Sequence, residues 1–153
     1  EHVQLSDLLQ ELTSQYAALF PTVEFAIDQQ TDDPDACMTG DAVGIRRALG
    51  NVLANAGRYA KGHVRITVSQ QGHQFLIDVD DDGPGIPEAE RNRVLEPFVR
   101  LTSEDGAEQG GVGLGLALVN RIVSQHDGTV SVLSAPQGGC RIRTAWPVNS
   151  TQA

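Results

Sequence analysis

Two alternating segments around a tight turn constrain the fold of this chain most. Apolar and polar residues alternate with period two over residues 63–69 and again over residues 74–80. This alternation is typical of half-buried β-strands. The intervening residues 70–73, Gln-Gln-Gly-His, predict a hairpin turn. The two segments therefore predict neighbouring antiparallel strands of one sheet.

Helical patterns lie on both sides of this hairpin. Apolar residues at helical spacing predict helices over 5–19, from the N-cap Asp41 to about Tyr59, and over about 114–126. Weaker signals predict the remaining elements, which are strands at 23–27, 36–39, 128–134 and 139–146 and a short helix at 87–95. The order of elements indicates an α+β fold with a mixed or antiparallel sheet.

Length and charge exclude several classes of protein. The 153 residues suit one globular domain, with no room for a second. The net charge of −9 argues against nucleic acid or an anionic membrane as the main partner, because both need clustered Lys and Arg. No apolar run approaches the roughly 20 residues of a membrane span. Because the first residue is Glu1, we interpret the chain as a piece of a longer protein.

An acidic run follows the second strand of the hairpin. Asp80, Asp81 and Asp82 meet Gly83 and Gly85, where the backbone can turn sharply and a ligand can come close. A carboxylate at this place can accept a hydrogen bond from an exocyclic amine. The alternatives are a solvated acidic turn or a calcium loop, although the run lacks the ligand spacing of an EF-hand.

A glycine-rich stretch, residues 110–117, opens the third helix. A helix N-terminus offers free N–H groups and the positive end of the dipole, so it favours phosphate. The alternative is a flexible loop with close helix packing. A Walker-type phosphate loop is excluded, because no Gly-Lys-Ser/Thr sequence occurs in the chain.

Two amides share one face of the second helix. Asn51 and Asn55 are four residues apart, and Asn is a poor residue for a helix interior. Amide oxygens are suitable ligands for Mg²⁺ beside phosphate oxygens, and Arg58 could reach a phosphate. The alternative is a pair of amides on a helix surface.

These segments together resemble the nucleotide-binding boxes of sensor histidine kinases. Residues 51–59 resemble the asparagine box, Asp81-x-Gly83-x-Gly85 the first glycine box, Glu96-Pro97-Phe98 the phenylalanine box, and Gly111-x-Gly113-x-Gly115 the second glycine box. The resemblance covers nearly the whole chain. One departure is Val112, which stands where many relatives have Thr.

The resemblance implies the Bergerat fold, a two-layer α/β sandwich with a mixed, mostly antiparallel sheet. Helices would pack on one face of the sheet, and ATP would lie between them and a mobile lid at about residues 101–112. The whole chain, 1–153, would be one catalytic and ATP-binding domain. A dimerisation domain with the phosphoacceptor histidine would lie upstream.

The resemblance also implies roles for single residues. Asp81 would accept the adenine N6 amine, and Asn55, with Asn51 nearby, would bind Mg²⁺. The residues implied in catalysis are Asn51, Asn55, Arg58 and Arg100. The residues implied in binding ATP and Mg²⁺ are Asn55, Arg58, Tyr59, Asp81, Gly83, Gly85, Ile86, Phe98, Gly111, Gly113, Leu114, Gly115 and Leu116.

The implied activity is transfer of phosphate rather than hydrolysis. ATP-hydrolysing relatives such as DNA gyrase carry Glu four residues before the metal-binding Asn, and here that residue is Asn51, whose amide is a poor base. None of His2, His63, His73 and His126 lies in an acceptor motif, so the acceptor is expected outside this chain. Expected partners are the kinase's own dimerisation domain and the receiver domain of a response regulator. We expect a monomeric chain and a homodimeric parent, with this domain in the cytoplasm and the parent anchored in the bacterial inner membrane.

Three alternatives stay open from the sequence. One is a serine kinase of the same fold that acts as an anti-sigma factor. Another is an ATP-driven clamp like gyrase or a chaperone. The third is a degenerate kinase domain used only for docking, which nucleotide affinity would distinguish.

Overall fold

The structure, a computed structural model, describes residues 2–30, 37–96, 110–136 and 138–148, and describes residues 110–114 by their backbone alone. Its helices are α1 Leu5–Leu19, α2 Ala42–Tyr59 and α3 Gly110–Gln125. Its strands are β1 His2–Gln4, β2 Glu24–Gln29, β3 Cys37–Thr39, β4 His63–Gln71, β5 Gln74–Asp81, β6 Thr129–Ser134 and β7 Cys140–Pro147.

Five strands form the main sheet in the order β2-β4-β5-β7-β6. The predicted hairpin is confirmed, because β4 and β5 pair antiparallel with Gln71 opposite Gln74. Only β2 and β4 run parallel, which fits the long connection between them through β3 and α2. The strands β1 and β3 form a separate antiparallel pair.

The core lies between the main sheet and the helices. On β4 every second residue from Val64 to Val68 is buried, whereas on β5 six of the eight residues are buried, including Ile77 and Val79. The side chains of Ile77 and Val79 pack in one cluster with apolar residues of α1, α2 and α3, among them Leu9 and Leu53. The other sheet face carries charged side chains. The predicted two-layer α+β sandwich with helices on one face of a mostly antiparallel sheet is therefore confirmed.

Ion pairs on the outer face hold the two central strands together. Arg143 and Arg141 each donate two hydrogen bonds, to Asp78 and to Asp80 respectively, at 2.7–3.0 Å. Both pairs join residues directly opposite each other on β5 and β7. Two-point arginine–carboxylate pairs fix relative orientation as well as distance. They therefore hold the end of β5, where the acidic run begins.

Two local predictions were wrong and one strand was missed. The short helix predicted at 87–95 is instead two 3-10 turns, Glu88–Glu90 and Arg93–Leu95, which bury only Val94 and so offer little apolar surface to drive a longer helix. The strand β1 was not predicted. The helix predicted from about Leu114 begins at Gly110, inside the predicted lid, because packing of α3 against α2 outweighs the cost of about 1 kcal/mol per glycine.

Candidate functional site

The acidic run at the end of β5 meets the asparagine-containing helix α2. The glycine-rich stretch begins α3, which also packs on α2. Helix α2 packs on both β5 and α3. The loop that leaves β5 returns to the C-terminal end of α2, where Gly83 contacts the carbonyl of Tyr59. The acidic run, the asparagine helix and the glycine-rich helix are thus neighbours in space. Sequence alone placed them on separate elements.

Asp81, the last residue of β5, has a buried carboxylate, and only 5% of the residue is exposed. Its Oδ1 accepts the backbone N–H groups of Gly83 at 2.8 Å and Cys140 at 3.3 Å. Within the part of the chain that the structure describes, Oδ2 accepts no hydrogen bond. One oxygen therefore holds the local backbone, and the other can still accept a hydrogen bond.

The environment of Asp81 disfavours its charge. Burial raises the pKa of Asp81, and the neighbouring carboxylates of Asp82 and Asp80 raise it further, against the hydrogen bonds from Gly83 and Cys140. A buried acceptor of this kind gains more from a ligand donor than an exposed carboxylate would, because water competes less for it.

Gly83 allows the loop after β5 to lie directly on α2. A Cβ atom at residue 83 would collide with the carbonyl oxygen of Tyr59. The group that approaches Gly83 is therefore the protein's own backbone, whereas the sequence was interpreted as allowing a ligand to come close. Gly85, with φ of +81°, takes a conformation that side chains rarely adopt.

Asn55 of α2 has a buried side-chain amide. The residue is 8% exposed, and its Oδ1 accepts no hydrogen bond among the described residues. An orphaned buried polar atom costs about 1–3 kcal/mol, so this oxygen would be stabilised by a hydrogen-bond donor or a cation that the described residues do not supply. Asn51, one turn earlier, is half-buried on the same helix face.

The side-chain amides of Asn51 and Asn55 suit Mg²⁺, which needs few protein ligands, better than a metal ion that is coordinated by protein side chains alone. In the described part of the chain, no three His, Cys, Asp or Glu side chains cluster as metal ligands. Magnesium keeps several waters and is usually held by one or two protein oxygens together with substrate phosphates. A single orphaned amide oxygen is the donor that such a site needs from the protein.

The last turn of α2 places Arg58 and Tyr59 beside each other. Arg58 is exposed and Tyr59 half-buried. Burial raises the pKa of the Tyr59 hydroxyl, and the neighbouring Arg58 opposes the shift. Arg58 is thus an exposed cation at the end of the helix, where it interacts with the Tyr59 hydroxyl.

The first turn of α3 contains Gly111, Gly113 and Leu114. The first four N–H groups of a helix have no partner within it, so this turn offers donors to an anion. Further along, Leu116 is buried in the core, which makes it a packing residue. A Cβ at Gly115 would have nothing within 4 Å, so this glycine leaves open space beside the helix.

Some predicted residues lie outside the described part of the chain. They are Phe98, Arg100 and most of the predicted lid, 101–109. Ile86 lies within it and packs half-buried against the core, and its carbonyl accepts a hydrogen bond from Arg91 at 3.0 Å.

Two contributors to the site were missed. Cys140 donates its backbone N–H to Asp81 across 59 positions of the chain. Its neighbour Gly139 has φ of +90° and lies against the Asp81 carbonyl, so a Cβ there would collide with it. Gly139 precedes β7 and Cys140 begins it, and the sequence signal was only a turn at the closing hairpin. Asp82 was noted only as part of the acidic run.

A sequence profile described as histidine kinase-, DNA gyrase B-, and HSP90-like ATPase matches residues 40–150. The chain belongs to this ATPase family. Within it the chain is similar to sensor protein RstB of Escherichia coli strain K12, at 39% identity over 104 residues. That alignment covers 68% of this chain and 24% of RstB. The chain therefore spans about a quarter of the length of this relative.

Solved structures of the ATPase family agree with the fold. A mycobacterial sensor histidine kinase, MprB, matches with a TM-score of 0.83 at 28% identity, covering 97% of this chain and 98% of that one. The ATP-binding domain of PrrB from Mycobacterium tuberculosis matches with a TM-score of 0.75 at 30% identity, covering 97% of each. The chain is thus homologous to the ATP-binding catalytic domains of sensor histidine kinases, as the resemblance implied. None of the helices in the described ranges is long and apolar enough to cross a membrane.

Proposed function

We propose that the chain binds Mg-ATP and transfers the γ-phosphate to a histidine on the dimerisation domain of the same kinase. That phosphate would pass to an aspartate on the receiver domain of a response regulator. The observation that carries the proposal is that two buried hydrogen-bond acceptors lie on two elements that pack against each other, β5 and α2. Asp81 ends β5, and Asn55, whose oxygen accepts no hydrogen bond from the described residues, lies on the helix packed against that strand.

The base would bind at the end of β5. Oδ2 of Asp81 would accept the N6 amine of adenine, while Oδ1 stays bonded to Gly83 and Cys140. Because those backbone bonds fix the carboxylate, little side-chain freedom remains to be lost on binding. Ile86 and Tyr59, both half-buried beside the loop, would supply apolar contact to the base or ribose.

The phosphates would bind between α2 and the start of α3. Asn55 would hold Mg²⁺, with Asn51 near the metal or phosphates, and the metal when bound would neutralise charge on the phosphate oxygens. The N–H groups of Gly111, Gly113 and Leu114 would donate to phosphate oxygens at the helix N-terminus. Arg58 and Arg100 are the cations proposed to reach the same oxygens.

The chemical step asks the protein mainly for positioning. A nitrogen of the acceptor imidazole attacks the γ-phosphorus, the bond to the β-phosphate oxygen breaks, and ADP leaves. Hydrolysis would instead need a base to activate water. Helix α2 contains neither Asp nor Glu, so no carboxylate of this helix is available for that task. Transfer to a histidine is therefore favoured over efficient hydrolysis.

The acceptor is proposed to lie outside this chain. Both ring nitrogens of His126 are already engaged, since Nδ1 donates to the carbonyl of Ile122 at 2.8 Å and Nε2 accepts from Asp41 N–H at 3.2 Å. His63 lies between Asp82 and Glu24, at 3.2 and 3.4 Å. The parent is proposed to be a homodimer anchored in the bacterial inner membrane, with this domain in the cytoplasm.

Phosphotransfer between separate pieces of the parent kinase tests the proposal. The chain is mixed with γ-labelled ATP, Mg²⁺ and the purified segment of the parent that precedes it. We expect acid-labile label on a histidine of that segment and none on the chain. Stoichiometric label on the chain itself would contradict the proposal. Rapid release of free phosphate without the acceptor would favour a gyrase-like ATPase instead.

A further inference from the structure

Asp82, beside the proposed adenine ligand, is bonded to a different part of the site. Its Oδ1 accepts the backbone N–H groups of Lys61 at 2.7 Å and Gly62 at 3.1 Å. Its Oδ2 lies 3.2 Å from Nδ1 of His63. Lys61 and Gly62 belong to the segment that joins α2 to β4, and His63 is the first residue of β4. One carboxylate thus fastens the loop after β5 to the end of the helix that carries Asn55.

That segment is itself tied to the helix and to the sheet. Ala60, the C-cap of α2, donates its N–H to the carbonyl of Ala56 at 2.9 Å. The carbonyl of Gly62 accepts the N–H of Glu24 at 2.8 Å, at the start of β2. Movement at Asp82 would therefore pass to the end of α2 through a short, hydrogen-bonded stretch of backbone.

The contact of the neighbouring residue Gly83 also holds the loop after β5 against the end of α2. Gly83 lies against the carbonyl of Tyr59, one helical turn beyond Asn55. Four residues of α-helix span about 6 Å, so Asn55 is close to the point at which the loop is fastened. The backbone on the other side of Asp82 carries Asp81. The two proposed ligand groups, one for the base and one for the metal, are thus joined through residue 82.

The Asp82 carboxylate is ionised at neutral pH. Although burial acts in the opposite direction, hydrogen bonds from Gly62, His63 and Lys61 together lower its pKa to about 2. Hydrogen bonds to an ionised acceptor are shorter and stronger than neutral ones. The 2.7 Å bond from Lys61 fits this description.

We propose that Asp82 is a positioning residue that sets the separation between the adenine ligand Asp81 and the metal ligand Asn55, by fastening the α2–β4 segment to the loop after β5. The inference rests on the proposed function, because it assigns Asp82 a part in binding one nucleotide at both ends. Asp82 itself touches neither end. Asp82 therefore affects the affinity for a ligand whose base and phosphates bind at the same time.

The first test needs no nucleotide. Amide hydrogen exchange at Lys61 and Gly62 is measured in the wild-type chain, in Asp82→Ala and in Asp82→Asn. We expect exchange at both amides to be at least tenfold faster in D82A, and close to wild type in D82N, which keeps an accepting oxygen. Unchanged exchange in D82A would overturn the inference, whatever the chain binds.

The second test is calorimetric titration with adenosine and with a non-hydrolysable ATP analogue plus Mg²⁺. We expect D82A to bind the Mg-nucleotide about tenfold more weakly, with a smaller loss for adenosine, and D82N and His63→Ala to bind within about twofold of wild type. Equal losses for both ligands, or no recovery in D82N, would overturn the inference. Absence of binding by the wild type would instead count against the proposed function, and the exchange result would still decide the inference.

A matched variant separates positioning from general loss of stability. Asp41 caps the opposite end of α2, where its Oδ1 accepts the N–H of Val43 at 3.2 Å. Asp41→Ala removes this cap and is expected to lower the Tm of the chain without changing its affinity for Mg-nucleotide. If D41A weakened nucleotide binding as much as D82A at a similar Tm, the effect of Asp82 would be one of stability and the inference would be wrong.

Discussion

The carbonyl oxygen of Tyr59 lies so close to Gly83 that a single added methyl group would collide with it. Backbone meets backbone at this point, at the junction of the asparagine helix and the loop after β5. Neither partner can yield by changing a rotamer. The proposed base and metal ligands sit on the two sides of this contact.

Gly83→Ala is expected to destabilise the chain by about 1–3 kcal/mol, because backbone must shift to admit the methyl group. The same shift would move Asp81 relative to α2, so affinity for ATP should fall as well. Urea unfolding and nucleotide titration measure the two effects. Gly62→Ala is the matched control, since a Cβ there would have nothing within 4 Å. Equal behaviour of the two variants would show that the contact is unimportant.

Asn55→Ala is expected to separate stability from binding. The variant loses a buried side chain but also removes an orphaned oxygen, so its unfolding free energy without ligand should stay within about 1 kcal/mol of wild type. Its Mg²⁺-dependent affinity for ATP should fall by at least about tenfold. Thr13→Val removes Oγ1 of Thr13 on α1, another buried atom that has no hydrogen-bond partner among the described residues. That control should keep full affinity.

Burial of Asp81 predicts a pH-dependent difference between wild type and Asp81→Asn. Because the folded chain raises the pKa of Asp81, keeping this residue ionised works against folding, and the penalty is present at neutral pH and is relieved as Asp81 protonates. The neutral amide retains an acceptor for Gly83 and Cys140. D81N should therefore unfold at a higher Tm than wild type at pH 7, with a smaller gap in acid, and should fail to bind ATP. A lower Tm at pH 7 would contradict the burial argument.

Asp82 predicts the opposite dependence. The folded chain lowers its pKa from 3.8 to about 2, so the stabilisation is complete above about pH 4 and is lost as pH falls toward 2. The unfolding free energy of wild type minus that of Asp82→Asn should be positive and constant from pH 5 to 7. It should disappear by about pH 2. If the difference between the two unfolding free energies were the same at pH 2 as at pH 7, the charge of Asp82 would contribute nothing to stability.

Local patterns were enough to predict most of the elements. The period-two alternation located β4 and β5, and Asp41 was correctly predicted as the N-cap of α2. The placement of Asn51 and Asn55 on one helix face follows from helical spacing alone. Family resemblance then supplied the two-layer arrangement, with the helices on one face of a mixed sheet. The predicted role of each residue toward ATP stays a prediction.

Contacts between distant parts of the chain could not be predicted. Asp81 and Cys140 are 59 positions apart, and only the pairing of β5 with β7 brings them together. The start of α3 at Gly110 depends on packing against α2, which outweighs the low helix propensity of glycine. Strand β1, only three residues long, has too few residues to show a periodic pattern, and it pairs with β3 rather than with the main sheet.

Calorimetric titration with a non-hydrolysable ATP analogue, with and without Mg²⁺, tests the central claim most directly. The wild-type chain should bind, D81N should not bind under either condition, and N55A should lose mainly the part of the affinity that Mg²⁺ adds. This pattern would place the base at Asp81 and the metal at Asn55. Binding by D81N at wild-type affinity, or a response to Mg²⁺ that Asn55→Ala leaves intact, would contradict the account.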